Sequence, residues 1–234
     1  MTTIATDIFT VRPYTSHCRV IEQEAQHAVI GVSPGNSFFT AETVTGLAHW
    51  AAERFARVDL VYTDLYIADM YEALGYAPDD ARRKAVKNLR GVRAKVSNAA
   101  LAVDPDGARV RAQPVSALTG RPEYRRLSRH VETLMTGDAA LAATVAGLVD
   151  RFLRDKVTGR DATDRQREVC TRYILAELPL FIDSPAIFGV ASSLNCYHQV
   201  LPLADLLYGP GHGLRASRNQ GHGIIALTAP EDAQ

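Results

Sequence analysis

The residues best suited to chemistry lie in one short turn at 31–37, with the sequence GVSPGNS. An apolar run at 28–32 predicts a buried strand before the turn, and apolar residues at helical spacing follow it as far as Trp50. Ser33 should therefore lie where a strand ends and a helix is about to start. Backbone N–H groups of such a turn can stabilise an anionic oxygen. These features make Ser33 the candidate nucleophile.

The turn also matches a hydrolase motif, because Gly31, Ser33 and Gly35 have the spacing of the GxSxG nucleophile elbow. Its position argues against that fold, since only 30 residues precede Gly31, too few for the strands that come before an elbow. Asp183 and His198 follow in the order of a catalytic triad, but nothing else in the sequence marks them. On this motif alone, a serine esterase and a purely structural turn both stay open.

A second group of candidates is a basic stripe on a long helix predicted at 79–100. Arg83, Lys87 and Arg90 have i, i+4, i+7 spacing and share one face, where like charges repel unless an anion neutralises them. The stripe therefore predicts contact with nucleic-acid phosphates, and a solvated surface is the alternative. No acidic residue interrupts the basic residues, which are Arg82, Arg83, Lys84, Lys87, Arg90, Arg93 and Lys95.

Two further candidates, Tyr173 and Glu177, have i, i+4 spacing on a largely apolar helix. A glutamate on an apolar face has a raised pKa or finds a hydrogen-bond partner, which suits a residue that holds an amine or moves a proton. The segment 192–198 adds Tyr197, which could donate a hydrogen bond across the site, and His198, a potential general base. A surface glutamate beside a core tyrosine and an incidental loop histidine are the alternatives.

The elements around these residues predict an α/β fold. A strand at 28–32, a helix at 41–56 and a strand at 58–63 form a βαβ unit whose strands should be parallel. Ser33 would then lie at the carboxyl end of a strand, where open parallel sheets bind ligands, and a strand at 187–190 would bring the following loop to the same edge. Further predicted elements are an edge strand at 10–11, strands at 108–113 and 224–227, and helices at 66–76, 122–136, 138–154 and from 163 or 164 to about 176.

The composition fits a single α/β domain over residues 1–234, with 1–25 and 228–234 loosely ordered. The net charge of +0 points to no class of partner by itself. The 3 cysteines form no CxxC pair, which argues against a disulfide framework or a zinc site, and we expect Cys196 to be a small buried residue. No membrane span or signal peptide is recognisable, which favours a cytoplasmic protein that binds no membrane. We expect a monomer without metal or other cofactor.

Several segments taken together resemble the cyclodipeptide synthases. They follow the family's order over roughly residues 26–200. The resemblance implies a Rossmann-like parallel sheet flanked by helices, similar to the catalytic domain of class I tyrosyl- and tryptophanyl-tRNA synthetases but without their ATP-binding signatures. Besides the basic helix, the segments are HAVIGVSPGNSFF at 27–39, WAAERFARVDLVYTD at 50–64, YILAELPLF at 173–181 and DSPAIFGVASSLNCYH at 183–198.

The resemblance also implies an activity, in which two aminoacyl-tRNAs supply the amino acids of a cyclic dipeptide, a 2,5-diketopiperazine. Ser33 would accept the first aminoacyl group, a second aminoacyl amine would attack that ester to give a dipeptidyl-tRNA, and the kinetics would be ping-pong. Tyr173 and Glu177 would hold the amino group and assist proton transfer, and the basic helix would contact the acceptor arm of the tRNA. The catalytic residues implied in this way are Ser33, Gly35, Asn36, Tyr173, Glu177 and Tyr197.

By the family's layout, a pocket for the first side chain is lined near Val29, Gly31, Val61, Thr63, Gln113, Leu180 and Asn195. Gln113 and Asn195 depart from the aliphatic groups of members that prefer apolar amino acids. Because unpaired buried amides are unfavourable, we predict a first amino acid with a hydrogen-bonding side chain, unless the two amides pair with each other or with the backbone. A non-catalytic RNA-binding module that uses only the basic helix is a third hypothesis, beside the synthase and the esterase.

Overall fold

The computed structural model describes residues 9–154, 156–157, 161–210 and 213–227 and shows an α/β fold built on a six-stranded sheet. The strands are β1 (Phe9–Pro13), β2 (His27–Gly31), β3 (Arg57–Tyr62), β4 (Val110–Pro114), β5 (Ser193–Tyr197) and β6 (Gln220–Leu227). They lie in the order β1-β6-β5-β2-β3-β4, and all neighbours are parallel except β1, which runs antiparallel to β6. The predicted Rossmann-like parallel sheet is confirmed.

The order of the strands reverses beside β2. The chain leaves β2 and continues to β3 on one side, whereas β5, much later in the sequence, pairs with β2 on the other side. In an open parallel sheet, ligands bind in the crevice at such a switch point, outside the carboxyl ends of the strands. Ser33 follows the end of β2 closely and therefore lies at this crevice.

Helices cover both faces of the sheet. The helices are α1 (Ser16–Glu24), α2 (Ala41–Arg54), α3 (Ile67–Ala73), α4 (Pro78–Val103), α5 (Pro122–Gly137), α6 (Ala139–Arg154), α7 (Asp164–Phe188) and α8 (Pro202–Tyr208). One hydrophobic core joins α2 and α4 to one face, and a second core joins α5, α6 and α7 to the other. None of the helices in the described ranges has the length and apolar character needed to cross a bilayer.

Local signals fix the starts of the helices that the sequence predicted. Thr40 accepts a hydrogen bond from the backbone three residues on and caps α2, and Thr163 forms a capping box at the start of α7. Pro78 begins α4, where a missing N–H costs no hydrogen bond. The two helices predicted at 122–136 and 138–154 are confirmed as α5 and α6, with small differences at their ends.

The prediction around residue 187 is wrong in two places. No strand forms at 187–190, because α7 continues to Phe188, and the segment interpreted as a loop after that strand is itself the strand β5. Pro179 and Pro185 lie inside α7, where each removes a backbone donor, and the backbone is non-helical at Asp183 (φ −157°, ψ 64°). Burial of this part of α7 against the sheet holds the kinked helix together in spite of its prolines.

The first 25 residues contain a helix, α1, that the sequence did not predict. Its Cys18 and Ile21 are buried, so this part of the chain belongs to the core. The edge strand predicted at 10–11 lies within β1, and the last strand, β6, begins four residues before the predicted 224. Residues 1–8 and 228–234, whose loose order was also expected, lie outside the described residues.

Candidate functional site

Ser33 lies in a tight turn that contacts on both sides hold in place. The pairing of β2 with β3 extends beyond the strand, since Val32 N donates to a β3 carbonyl at 2.8 Å. Gly35 has a φ of +76°, a left-handed conformation that favours glycine. The Asn36 side chain accepts from Phe38 N at 2.9 Å and joins the turn to the segment before α2. Ser33 is half-buried and borders open space on two sides.

Tyr197 is the hydrogen-bond partner of Ser33, with 2.9 Å between the two hydroxyl oxygens. It is the last residue of β5, and β5 pairs with β2, so the sheet itself brings the two hydroxyls together. Burial raises the pKa of Tyr197, and its hydrogen bond with Ser33 opposes the rise. The phenol therefore stays protonated at neutral pH and can donate to the Ser33 oxygen.

His198 and Asp183 do not form a catalytic triad with Ser33. The His198 ring stacks on Phe38 with centroids 4.3 Å apart, and its Nε2 lies 3.4 Å from the Asn36 amide nitrogen. Burial lowers the pKa of His198. Asp183, at the kink of α7, accepts from a serine hydroxyl at 2.9 Å. Because no histidine in the described ranges hydrogen-bonds to Ser33, the geometry does not support the esterase hypothesis.

Glu177 lies within a cluster of hydroxyl groups on the wall of the same site. Thr63, which follows β3, donates to Glu177 Oε1, and the Tyr173 hydroxyl, one helical turn earlier, also bonds to the carboxyl group. Burial raises the pKa of Glu177, and these two hydrogen bonds oppose the rise. Burial raises the pKa of Tyr173 well above its usual value, and the negative charge of Glu177 adds to the rise. The carboxylate of this cluster can bind an ammonium group or accept a proton.

A cavity of about 90 Å³ lies between Ser33 and Glu177. Asn195, a buried residue of β5, lines it, and its amide nitrogen donates to the Leu180 carbonyl at 2.9 Å. No group in the described part of the chain donates to the amide oxygen of Asn195. Most of the residues predicted for the first side-chain pocket line this cavity, namely Val29, Gly31, Val61, Thr63, Leu180 and Asn195.

Gln113, the remaining residue predicted for this pocket, does not line the cavity. It lies on the edge strand β4, where its amide donates to Asp59 on β3 and its oxygen lies 3.5 Å from Arg121. The buried carboxylate of Asp59 attracts the amide, and this contact takes Gln113 out of the pocket. The alternative in which the two amides pair with each other or with the backbone therefore describes only the nitrogen of Asn195, which donates to the Leu180 backbone, whereas Gln113 pairs with side chains.

A buried polar network that was not predicted from the sequence lies on the same face of the sheet. His27, the first residue of β2, contacts Asp59 through Nε2 at 2.9 Å and the Ser193 hydroxyl through Nδ1 at 2.8 Å. Arg57 also contacts Asp59, at 2.9 Å. Burial lowers the pKa of His27, and Asp59 opposes that shift. The signal available in the sequence was the polar residue at every second position, as in Arg57-Val-Asp59 of β3.

A wider cleft of about 950 Å³ opens on the other side of Ser33 and runs along α4. Four of the predicted basic residues line it: Arg83, Lys84, Lys87 and Lys95. The other three, Arg82, Arg90 and Arg93, are exposed on α4 but are not among the lining residues. The helix therefore presents one row of cations to the cleft that contains Ser33, and a second row to the surrounding solvent.

The charges along the cleft differ in how far they are compensated. Arg83 pairs with Asp80 in the first turn of α4, and Lys95 donates to a backbone carbonyl at 2.9 Å. Lys87 has no acidic partner within the described ranges. Positive charge is thus concentrated in the middle of α4, at the part of the cleft beside the Ser33 turn.

A second, apolar cavity of about 170 Å³ adjoins the first. Residues of α3, α6, α7 and α8 line it, including Met70, Leu148 and Phe152. It shares Glu177, Phe181 and Leu201 with the first cavity, so the carboxylate lies at the boundary between the two spaces. The site thus has two side-chain-sized spaces beside one carboxylate, together with a large cationic entrance.

Known proteins are similar to this chain over most of its length. The family model described as cyclodipeptide synthase matches residues 9–227. A cyclo(L-tyrosyl-L-tyrosyl) synthase of Mycobacterium tuberculosis is 53% identical over 218 residues, which cover 93% of this chain and 75% of that protein. A cyclo(L-leucyl-L-phenylalanyl) synthase of Streptomyces noursei is 32% identical over 216 residues, covering 92% of this chain and 90% of that protein.

Solved structures agree with the sequence comparison. A structure of a Mycobacterium tuberculosis protein, described as demonstrating that cyclodipeptide synthetases are related to type I tRNA synthetases, has a TM-score of 0.88 at 51% identity over 96% of each chain. A crystal structure of a cyclo(L-leucyl-L-phenylalanyl) synthase has a TM-score of 0.87 at 30% identity, covering 94% of this chain and 99% of that one. The resemblance seen in the sequence is confirmed: the chain belongs to the cyclodipeptide synthases, a family of enzymes.

Proposed function

We propose that this enzyme takes two aminoacyl groups from two aminoacyl-tRNAs and joins them through an ester on Ser33. One observation carries the proposal. Ser33 lines both the small cavity and the cationic cleft, so its hydroxyl lies between a space for a side chain and a surface for RNA phosphates. A polyanion in the cleft can present an acyl group to Ser33 while the side chain of that group enters the cavity.

In the first step, the Ser33 oxygen attacks the ester carbonyl at the 3′ end of the tRNA. A bond from the carbonyl carbon to Ser33 forms, the bond to the ribose oxygen breaks, and a proton passes from Ser33 to the ribose. One ester replaces another, so the step needs little driving force, and a serine without a histidine partner suffices. Tyr197 keeps the Ser33 oxygen in place through their 2.9 Å hydrogen bond.

In the second step, the amine of another aminoacyl-tRNA attacks the ester on Ser33. An amide bond forms, the bond to Ser33 breaks, and the proton lost by the amine returns to the Ser33 oxygen. The free amine of the resulting dipeptidyl-tRNA then attacks the remaining ester, which releases the tRNA and a 2,5-diketopiperazine. Glu177 lies where it can hold the first ammonium group and accept a proton, and its raised pKa suits that exchange.

We further propose that tyrosine is the first amino acid. The Mycobacterium tuberculosis relative is named as a cyclo(L-tyrosyl-L-tyrosyl) synthase, and the first cavity here contains an amide oxygen, that of Asn195, without a donor in the described ranges. A phenolic hydroxyl supplies the missing donor. The second cavity is lined mainly by apolar side chains and suits the side chain of the second amino acid.

The test is Ser33→Ala, assayed with charged tRNAs and followed by mass spectrometry of products and of the intact protein. Removing a nucleophile should lower diketopiperazine formation by on the order of a thousandfold or more and abolish the aminoacyl adduct on the protein. Ser128→Ala, which removes a hydroxyl of α5, serves as the control and should keep both. Wild-type turnover by Ser33→Ala would refute the covalent route.

A further inference from the structure

Two tyrosines form an aromatic pair in the wall of the cleft. Tyr71 lies on α3, and Tyr76 follows it after Gly75, whose φ of +99° reverses the chain. The rings meet edge to face, with centroids 5.6 Å apart and an interplanar angle of 76°. Both line the cleft, and Tyr76 is 41% exposed. The cleft therefore contains an aromatic ring that the protein itself covers only in part.

Side chains of α4 hold this pair in place. Asn88 donates to the Tyr71 hydroxyl at 2.9 Å. Lys84 hydrogen-bonds to the Tyr76 hydroxyl, and its ammonium nitrogen lies 4.0 Å from the centre of the Tyr76 ring. The basic helix thus fixes both rings through contacts at their edges and at one face. A ring ordered in advance loses little conformational entropy when a ligand stacks on it.

The aromatic pair is connected to the Ser33 turn. Asn88, which binds Tyr71, also faces that turn, because a Cβ atom placed on Gly35 would lie 3.5 Å from the Asn88 amide nitrogen. Ser33, Asn88 and Tyr76 line one continuous cleft. A ligand anchored at Tyr76 can therefore extend past Asn88 to the Ser33 hydroxyl.

The chemistry of the cleft indicates its ligand. Lys87 and Lys95 supply positive charge along the same wall as the exposed ring. Proteins bind unpaired nucleotides with this combination, holding the backbone with cations and stacking the bases on aromatic side chains. A base-paired stem does not offer the faces of its bases, whereas the unpaired 3′ end of a tRNA does, and that end carries the ester that Ser33 attacks.

We propose that Tyr76, supported by Tyr71 and Lys84, stacks on a base of the unpaired 3′ end of the aminoacyl-tRNA and so brings the ester to Ser33. This inference rests on the proposed function, since it takes tRNA as the substrate. RNA binding would then have two contributions, phosphate contacts and base stacking, which respond differently to salt. Phosphate contacts weaken steeply with salt, whereas stacking on an uncharged ring does not.

Uncharged tRNA carrying the fluorescent base 2-aminopurine in its unpaired 3′ end tests the site without chemistry at Ser33. Stacking quenches this probe. At saturating protein we expect strong quenching with wild type and with Tyr76→Phe, and none with Tyr76→Leu. Tyr76→Leu should also weaken binding about tenfold without changing the slope of log K against log salt concentration, and Tyr76→Phe should bind within about twofold of wild type.

Two charge variants complete the design. Lys87→Gln should weaken binding and make the salt slope shallower by about 0.7, the value for one contact to a single strand, yet keep full quenching at saturation. Arg129→Gln removes an exposed charge on α5, outside the residues that line the cleft, and should change neither quantity. Thermal unfolding of each variant checks its fold, and Tyr76→Gln replaces Tyr76→Leu if the leucine variant unfolds.

Equal quenching by wild type and Tyr76→Leu would overturn the proposal. So would Tyr76→Phe behaving like Tyr76→Leu, because the hydroxyl bond to Lys84 and not the ring would then be what counts. The proposed function fails in a different way. If wild type binds and quenches the tRNA but never forms an aminoacyl ester on Ser33, the base-binding site stands and the covalent route does not.

Discussion

The two faces of the sheet are made from the same strands but from different kinds of residue. On the face covered by α2 and α4, the buried residues of the inner strands are apolar: Ala28, Ile30, Val58, Leu60, Leu194 and Cys196. On the face covered by α5 and α7, alternate positions carry buried polar side chains: His27, Asp59, Ser193, Asn195, Gln220 and His222. Because successive side chains of a strand point to opposite faces, a single residue step separates the apolar core from the candidate site.

This difference shows how one sheet supplies both stability and chemistry. The apolar face gains free energy from burying hydrocarbon, and its residues can be exchanged for others of similar volume. The polar face must pair its groups, as His27 does with Asp59 and Ser193, and a missing partner leaves a buried polar atom unsatisfied. The second face therefore defines positions more strictly, which suits the cavity that it borders.

The largest effect that tests this comparison is expected from Asp59→Ala. The substitution leaves His27 and Arg57 without the carboxylate that both contact, and it also removes the partner of the Gln113 amide. Breaking a buried ion pair by removing one partner costs about 3–5 kcal/mol of the free energy of unfolding. Urea unfolding of the variant and of wild type at pH 7 measures the loss.

Leu60→Ala, at the next position of β3, is the matched change on the opposite face. It removes apolar volume from a fully buried site and should cost about 2–5 kcal/mol. The two variants should differ in their coupling to His27→Ala. A double-mutant cycle should give about 1–3 kcal/mol with Asp59 and a value near zero with Leu60. Similar coupling in both cycles would contradict the division of the sheet into two separate faces.

A smaller effect is expected at His222, which belongs to the polar face but lacks a side-chain partner. Its ring lies among those of Tyr14, Phe181 and Tyr208, with centroids 6.1, 6.2 and 6.5 Å away. Neither ring nitrogen has a side-chain hydrogen-bond partner among the described residues, and the contact with the Asn195 backbone opposes the effect of burial only in part. Burial lowers the pKa of His222 from 6.5 to about 4. Over that range the unfolded chain binds a proton that the folded protein excludes.

The direction of the pH effect follows from this shift. The neutral ring makes its full contribution to the free energy of unfolding above pH 6.5. This contribution falls as the pH is lowered towards 4 and does not change further below pH 4. Between pH 7 and 5, wild type should lose about 2 kcal/mol of unfolding free energy that His222→Phe keeps. Urea unfolding of both proteins at the two pH values measures it, and the exposed His17→Gln should follow wild type. Parallel losses in wild type and His222→Phe would show that burial does not exclude the proton.

The same alternation explains why one central strand was not predicted. β5 reads Ser-Leu-Asn-Cys-Tyr, so only Leu194 and Cys196 carry the apolar signal of a strand. Its polar residues face α7 and the cavity, and in the sequence they are typical of a loop. β2 and β3 were predicted because they keep apolar residues on both faces, such as Val29 and Ile30. A strand that contributes its polar positions to a site is recognised only when its neighbours are known.

The sequence predicted the parts of the site that are close together along the chain. The turn around Ser33 and the pair Tyr173 and Glu177 depend on local spacing. Ser33 and Glu177 line the first cavity, and Tyr173 bonds to Glu177 and lines the second. Gln113 does not line that cavity, because it bonds to Asp59 of another strand, a contact that no local pattern reveals. Tyr76 was overlooked because its place in the cleft depends on packing against α4, which no local pattern reveals.

The smallest and most specific effect is expected from Asn195→Leu, compared with Cys196→Ala at the next position of β5. Asn195 lines the first cavity, whereas Cys196 is buried in the apolar core on the other face. If the Asn195 oxygen accepts a tyrosine hydroxyl, its loss should lower the preference for tyrosyl- over phenylalanyl-tRNA about tenfold, the equivalent of about 1.4 kcal/mol and of one hydrogen bond. Product ratios from mixtures of the two charged tRNAs measure the preference.

Cys196→Ala distinguishes a contact from a general disturbance of β5. It should lower the free energy of unfolding by removing a buried sulfur atom, and it should leave the product ratio unchanged. A ratio that shifts equally in both variants would mean that the shape of the strand, and not the amide of Asn195, selects the amino acid. A ratio that shifts only in Asn195→Leu would mean that adjacent residues of one strand serve stability and selectivity separately, since the pleat directs them to opposite faces.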